Sequence, residues 1–169
     1  MSKRVTVEEY LGQAVAAVRQ MVEDEGDSCP ERNWPYVCVE DFVLQHGRAF
    51  IRTRPLPKGF PRGGIKECYK NAFLLMKDNP ALTYVEGYAC FQKSLLLMHG
   101  HAWCVDETGE VIDPTWMNGL NYFGVPFARA FVLATYDAIG RAGVIENEEQ
   151  GYPLLTKELS GYREEKFFR

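Results

Sequence analysis

RGGIKECYKNAFLLMKDNPALTYVEGYACFQKSLLLMHGHAWCVDETGEVIDPTW, residues 62–116, decides the fold. It begins as a helix and ends as strands. Ala72, Phe73 and Met76 recur at helical spacing, which predicts a helix over about 66–77, stopped by Asp78, Asn79 and Pro80. Three strand-like runs follow, at 82–91, 95–106 and 110–115. The last two are joined around Glu107, Thr108 and Gly109. A three-residue loop with glycine in the left-handed position gives a type I turn with a bulge. In that register Asp106 faces Glu110, Trp103 faces Asp113 and His101 faces Thr115. His101 and Asp113 then become diagonal neighbours on one face, within side-chain reach. A two-residue loop throws Asp113 to the other face; the position of Gly109 selects the first register.

Outward from this segment the signals are simpler. Thr6 and Glu9 form a capping box that opens a helix over about 6–24, with Val7, Tyr10, Leu11, Ala14, Val15, Val18 and Val22 on one stripe. A polar linker precedes a short helix over 39–46, closed by Gly47. Residues 49–53 read as extended, and the prolines and glycines of 55–64 as a long loop. Beyond the core, 125–135 reads as a further strand, 137–142 as a short helix, and the end as an aromatic, charged tail. Helices followed by antiparallel-type strands predict an α+β fold, with the helices packed on an antiparallel sheet. The length of 169 residues predicts a single domain: a helical N-terminal segment (1–35), a core (55–135) and a C-terminal tail (150–169).

Composition excludes several classes of function. Nineteen Lys and Arg against 23 Asp and Glu leave a net charge of −4, without the basic field that nucleic acids need. The N-terminus carries no signal-like apolar stretch, and the LLLM run at 95–98 is far too short to span a bilayer. The expectation is a cytoplasmic protein with neither membrane nor nucleic acid as partner. The five cysteines (29, 38, 68, 90, 104) are odd in number and form no CxxC pair, so they read as reduced thiols.

Cys68 opens the 66–77 helix directly after a glycine-containing loop. First-turn amides and the positive end of the helix dipole favour negative charge on its sulfur, and supply a backbone donor to an oxyanion. The alternative is an ordinary half-buried cysteine. His101 lies inside an apolar strand, where an imidazole serves either as a satisfied core group or as a base for a thiol. His99 faces the same side, and Gly100 between them allows close backbone approach. Asp113 supplies a carboxylate to fix the imidazole tautomer. The chain order Cys, His, Asp is that of thiol acyl chemistry. A zinc site built from Cys68, His99, His101 and Asp113 is the competing reading, although no local ligand pair supports it.

Other residues carry double readings. Glu86 shares a strand face with Tyr84, Tyr88 and Cys90, and either hydrogen-bonds near the pocket or sits on a solvated edge. Asn71, one helical turn after Cys68, orients the site or bonds loop backbone. Arg62 is a candidate for an anionic group of the substrate. Trp116, Tyr122, Phe123 and Phe127 form a cleft wall or core. His46 reads as a cation capping its helix.

Helix-initial Cys68, Tyr84-Val85-Glu86-Gly87-Tyr88, His101-Ala102-Trp103 and Asp113-Pro114-Thr115 together resemble the core of the transglutaminase-like superfamily, over about 55 residues. The resemblance implies a papain/transglutaminase-like core. It makes Cys68 the nucleophile, His101 the general base and acid, and Asp113 the orienter, with Trp103 packed beside them and no cofactor. It implies a protein, peptide or small amide or amine substrate, with hydrolysis or amine transfer through an acyl-enzyme. The chain is short and lacks calcium-ligand clusters, which makes it more similar to small bacterial and phage members than to calcium-activated cross-linkers. Arg62-Gly63-Gly64 ahead of Cys68 also resembles arylamine N-acetyltransferases, at a spacing one residue longer. The contrasting expectation is a non-catalytic interaction protein of the same fold.

Overall fold

A computed structural model describes residues 5–25, 34–90, 98–157 and 160–169. Cys29 and the 95–97 part of the expected strand lie outside the described residues. Helix α1 (Val7–Glu25) is opened by the capping box: the Glu9 amide donates to Thr6 Oγ1 at 3.1 Å, and the Thr6 amide to Glu9 Oε2 at 2.8 Å. Val7, Leu11 and Val15 of its stripe are buried, whereas Tyr10 remains exposed. Helix α2 (Val39–His46) ends at Gly47, whose amide returns to Val43. His46 is no cationic cap. Its ring nitrogens meet the hydroxyls of Tyr36 (2.7 Å) and Tyr162 (3.0 Å), and burial, with Arg163 nearby, lowers its proton affinity.

Five strands make one antiparallel sheet: β1 (Arg48–Phe50), β2 (Thr83–Cys90), β3 (Met98–Val105), β4 (Val111–Ile112) and β5 (Leu120–Phe127), in the order β1-β5-β2-β3-β4. Helix α3 (Cys68–Asp78) packs on one face through Ala72, Phe73, Leu75 and Met76, joined there by Phe42 and Val43 of α2 and Leu11 of α1. That face contributes Tyr84, Ala102, Cys104, Ile112, Phe123, Val125 and Phe127. The opposite face holds Phe50, Val85, Trp103, Val105, Val111 and Tyr122, covered by Phe167 of the terminal 3-10 turn, Glu165–Phe168. The alternation of the strands thus feeds two apolar layers, each large side chain contributing roughly 1.5–3 kcal/mol on burial. The class is α+β.

The hairpin register agrees with its turn chemistry. Cys104 pairs with Ile112 and Val105 with Val111, and Gly109 is left-handed at φ 81°. Pairing stops there, so the expected strand over 110–115 is only two residues long. Pro114 has no amide to offer a ladder, and the Asp113 carboxylate takes the Thr115 and Trp116 amides into a turn. A second correction concerns 125–135. The strand ends at Phe127, and helix α4 (Arg129–Ile139) follows, closed by left-handed Gly140. Its β-branched and aromatic residues imitate a strand, but Phe131, Val132 and Tyr136 share one inward-facing stripe. The expected helix at 137–142 is mainly its last turn. The tail continues as α5 (Pro153–Thr156) and docks through Leu154, Leu155 and Phe167.

Candidate active site

Because β4 stops after Ile112, the edge of β3 beyond Cys104 has no partner in β4. His101 lies on that edge, fully buried. The 113–116 turn wraps past it and is tied to the approach of α3. The Gly63 amide donates to the Pro114 carbonyl at 2.9 Å, and Asn71 Nδ2 donates to both Thr115 Oγ1 (3.0 Å) and the Gly64 carbonyl (2.9 Å). A Cβ at Gly63 meets the Asn71 amide at 2.0 Å, so this close approach requires glycine. Lys66 is held at φ 72°, a left-handed strain two residues before the cysteine. Cys68 is the first residue of α3, whose N-cap, Glu67, makes no side-chain hydrogen bond to the first-turn amides. Cys68 is largely buried, with about 9% of the residue accessible.

His101 Nε2 lies 2.7 Å from Asp113 Oδ2. The same oxygen accepts the Tyr122 hydroxyl at 2.9 Å, and Oδ1 accepts the amides of Thr115 (2.7 Å) and Trp116 (2.9 Å). A carboxylate surrounded by donors accepts only, so Nε2 carries the proton and Nδ1 presents its lone pair. Nδ1 is buried without a closed hydrogen bond, and the Cys68 thiol stands beside the ring. Burial works to lower the proton affinity of His101, but Asp113 and Cys68 outweigh it and the net shift is upward. For Asp113 burial works upward, and the hydrogen bond and charge of His101, with the two amides, hold the carboxyl below its usual range. Trp116 lies flat on His101, 3.7 Å between ring centroids and 9° between planes, and Trp103 stacks beyond it at 6.1 Å.

The structure therefore brings Cys68, His101 and Asp113 together and sets Trp103 and Asn71 around them. His99 is exposed, its ring 6.4 Å from the Trp116 ring that also covers His101. Arg62 donates to the Asp113 carbonyl at 3.1 Å. It also lines a cleft of about 280 Å³ with Trp116, Tyr122 and Asp113. Glu86 is not on a solvated edge. It is buried on the helix-bearing face, accepts the Tyr84 hydroxyl (2.7 Å) and the Val144 (2.5 Å) and Ile145 (3.0 Å) amides, and tethers the chain after α4. Burial pushes its carboxyl up to about 7 despite those three donors.

Tyr122 is the residue that sequence reasoning undervalued. Reading the strand as 125–135 left it outside any element, whereas its true register opposite Phe50 and Ala89 puts it on the His101 face. Among the described residues no cluster of three or more His, Cys, Asp and Glu is spaced to hold a metal ion. Nor is any described helix long and apolar enough to cross a membrane. Comparison with protein families, curated proteins and solved structures gives no match to this chain.

Proposed function

We propose that this protein is a thiol acyl-transfer enzyme of the transglutaminase-like kind, and that it hydrolyses an amide, with transfer to an amine as its second capability. One observation carries the reading: a buried imidazole held by Asp113 through Nε2, with Nδ1 unbonded beside a helix-initial thiol. A binding module has no need of that arrangement. The α+β architecture, with the cysteine helix on an antiparallel sheet and the His and Asp at adjoining strands, supports the finer fold assignment.

The chemistry follows from the groups present. His101 Nδ1 takes the Cys68 proton as Sγ attacks the carbonyl carbon, and the carbonyl π pair moves onto oxygen. The Cys68 amide at the start of α3 faces the developing oxyanion as one donor. Collapse expels the amine, which leaves with the proton from the imidazolium, and an S-acyl enzyme remains. Water, or an amine, gives a proton to Nδ1 as it attacks the thioester; the second collapse returns the thiol. Asp113 holds the ring in the Nε2–H tautomer through both halves and stabilises the imidazolium that each half forms.

Intact-protein mass spectrometry with a p-nitrophenyl ester as acyl donor tests this reading. The expected result is a single acyl adduct on Cys68 that decays in water and faster with added amine, and is absent in Cys68→Ala. Adducts spread over several cysteines, or none, overturn it.

A further inference from the structure

Asp113 Oδ2 is shared by two donors, and only one of them belongs to the triad. The other, Tyr122, comes from β5, on the far side of β2 from the strand that bears His101. Its seat is built for it. A Cβ on Gly119 falls 1.6 Å from the Tyr122 hydroxyl oxygen and 2.5 Å from the ring carbon that bears it, so only glycine at 119 leaves room for the hydroxyl. Gly119 is buried, and both residues line the same cleft as Asp113. From these two independent observations, the hydrogen bond and the vacated Cβ position, we infer that Tyr122 is a positioning residue, seated by Gly119, which sets the strength and direction of the Asp113 hold on His101. The inference rests on the proposed site.

The physics has a definite sign. Burial, with Asp113 nearby, raises the Tyr122 pKa, so the hydroxyl stays protonated and donates throughout the neutral range. Its proton withdraws charge from Oδ2, the oxygen that His101 uses. Three further donors, counting His101, share the carboxylate. Removing the hydroxyl leaves Oδ2 more basic, and the imidazolium is then held more tightly.

Nitrogen-15 NMR of histidine-labelled protein tests this directly, because the chain has only three histidines. In Tyr122→Phe the His101 titration moves upward by at least about 0.3 pH units. Gly119→Ala keeps every hydrogen-bonding side chain but displaces the hydroxyl, and moves the same resonance in the same direction. His46, which is hydrogen-bonded to Tyr36 and Tyr162, holds its position in both variants. An unchanged or lowered His101 titration in Tyr122→Phe, measured on folded protein, overturns the inference, as does a Gly119→Ala protein that titrates like the parent. A purely structural tyrosine lowers the melting temperature without moving His101. The readout needs no substrate, so its failure is separate from failure of acylation at Cys68, which the ester experiment reports.

Discussion

The imidazole of His101 and the indole of Trp116 lie face to face, 3.7 Å apart and 9° from parallel. The ring is thereby closed to water on one side and pinned in the plane that joins Asp113 to the thiol. Trp116→Ala opens that face and allows the ring to tilt. Displacements near an ångström cost on the order of 100-fold in rate. The expected loss in kcat/KM for the acyl donor is therefore about 10- to 100-fold, with Trp116→Phe retaining most of the activity because it keeps a flat cover. Steady-state kinetics of the two variants check this.

Asp113→Asn replaces the acceptor of His101 with a group of either polarity and removes its charge. In the parent, Asp113 and Cys68 raise His101 above its ordinary 6.5 against the opposing pull of burial. Without the carboxylate, burial dominates and the value falls, so the imidazolium needed to protonate the leaving amine is lost at lower pH. The basic limb of the pH–rate profile moves down, and activity at pH 7 falls by roughly 10³- to 10⁴-fold. Linkage gives a stability counterpart. The raised His101 stabilises the parent fully below 6.5 and less as pH climbs through its folded value. The depressed Asp113 stabilises it above 3.8 and less as pH falls through its folded value. Urea titrations across pH on parent and variant measure both edges, and each is flattened in Asp113→Asn.

Glu86→Gln separates the tether from the site. The folded carboxyl lies near 7 against an ordinary 4.5, so the parent is most stable below 4.5 and loses that contribution as pH rises toward 7. The variant lacks this slope. It also turns an amide N–H toward one of two backbone donors, Val144 or Ile145, at a cost of about 1–3 kcal/mol. Denaturation at pH 5 and pH 7.5 reads both effects, and modification of Cys68 in the folded variant proceeds at the parent rate.

How much of this was legible in the sequence depends on how local each signal is. Thr6 and Glu9 announce α1 because the capping box is complete within four residues. Gly109 fixes the hairpin register because one left-handed residue decides which face Asp113 joins. That register predicts His101 and Asp113 as neighbours along a paired strand, whereas the 113–116 turn beyond β4, and not continued pairing, brings the carboxylate to the ring. Trp116 and Tyr122 line a cleft, one of the two readings their sequence offered, but their contacts with His101 and Asp113, and the seat at Gly119, were opaque because those partners lie across the sheet or around a turn. The tether made by Glu86 was opaque for a similar reason: its backbone donors, Val144 and Ile145, come from a segment almost sixty residues away. Strand propensity in the 129–136 stretch concealed a helix whose inward stripe packs on distant partners: Tyr136 stacks on Phe73 of α3, and Phe131 meets Phe127 and Tyr162.

The central claim is that His101 activates Cys68, and the pH dependence of alkylation tests it most directly. Folded protein is treated with limiting iodoacetamide between pH 5 and 9, and each cysteine is quantified by peptide mass spectrometry, in the parent and in His101→Gln. The account predicts that Cys68 in the parent is modified at least about tenfold faster than Cys38, Cys90 or Cys104 at pH 7. That preference disappears in His101→Gln, where Cys68 reacts only as the solution becomes alkaline. Equal reactivity of the cysteines in the parent, or a Cys68 preference that survives loss of the imidazole, contradicts it.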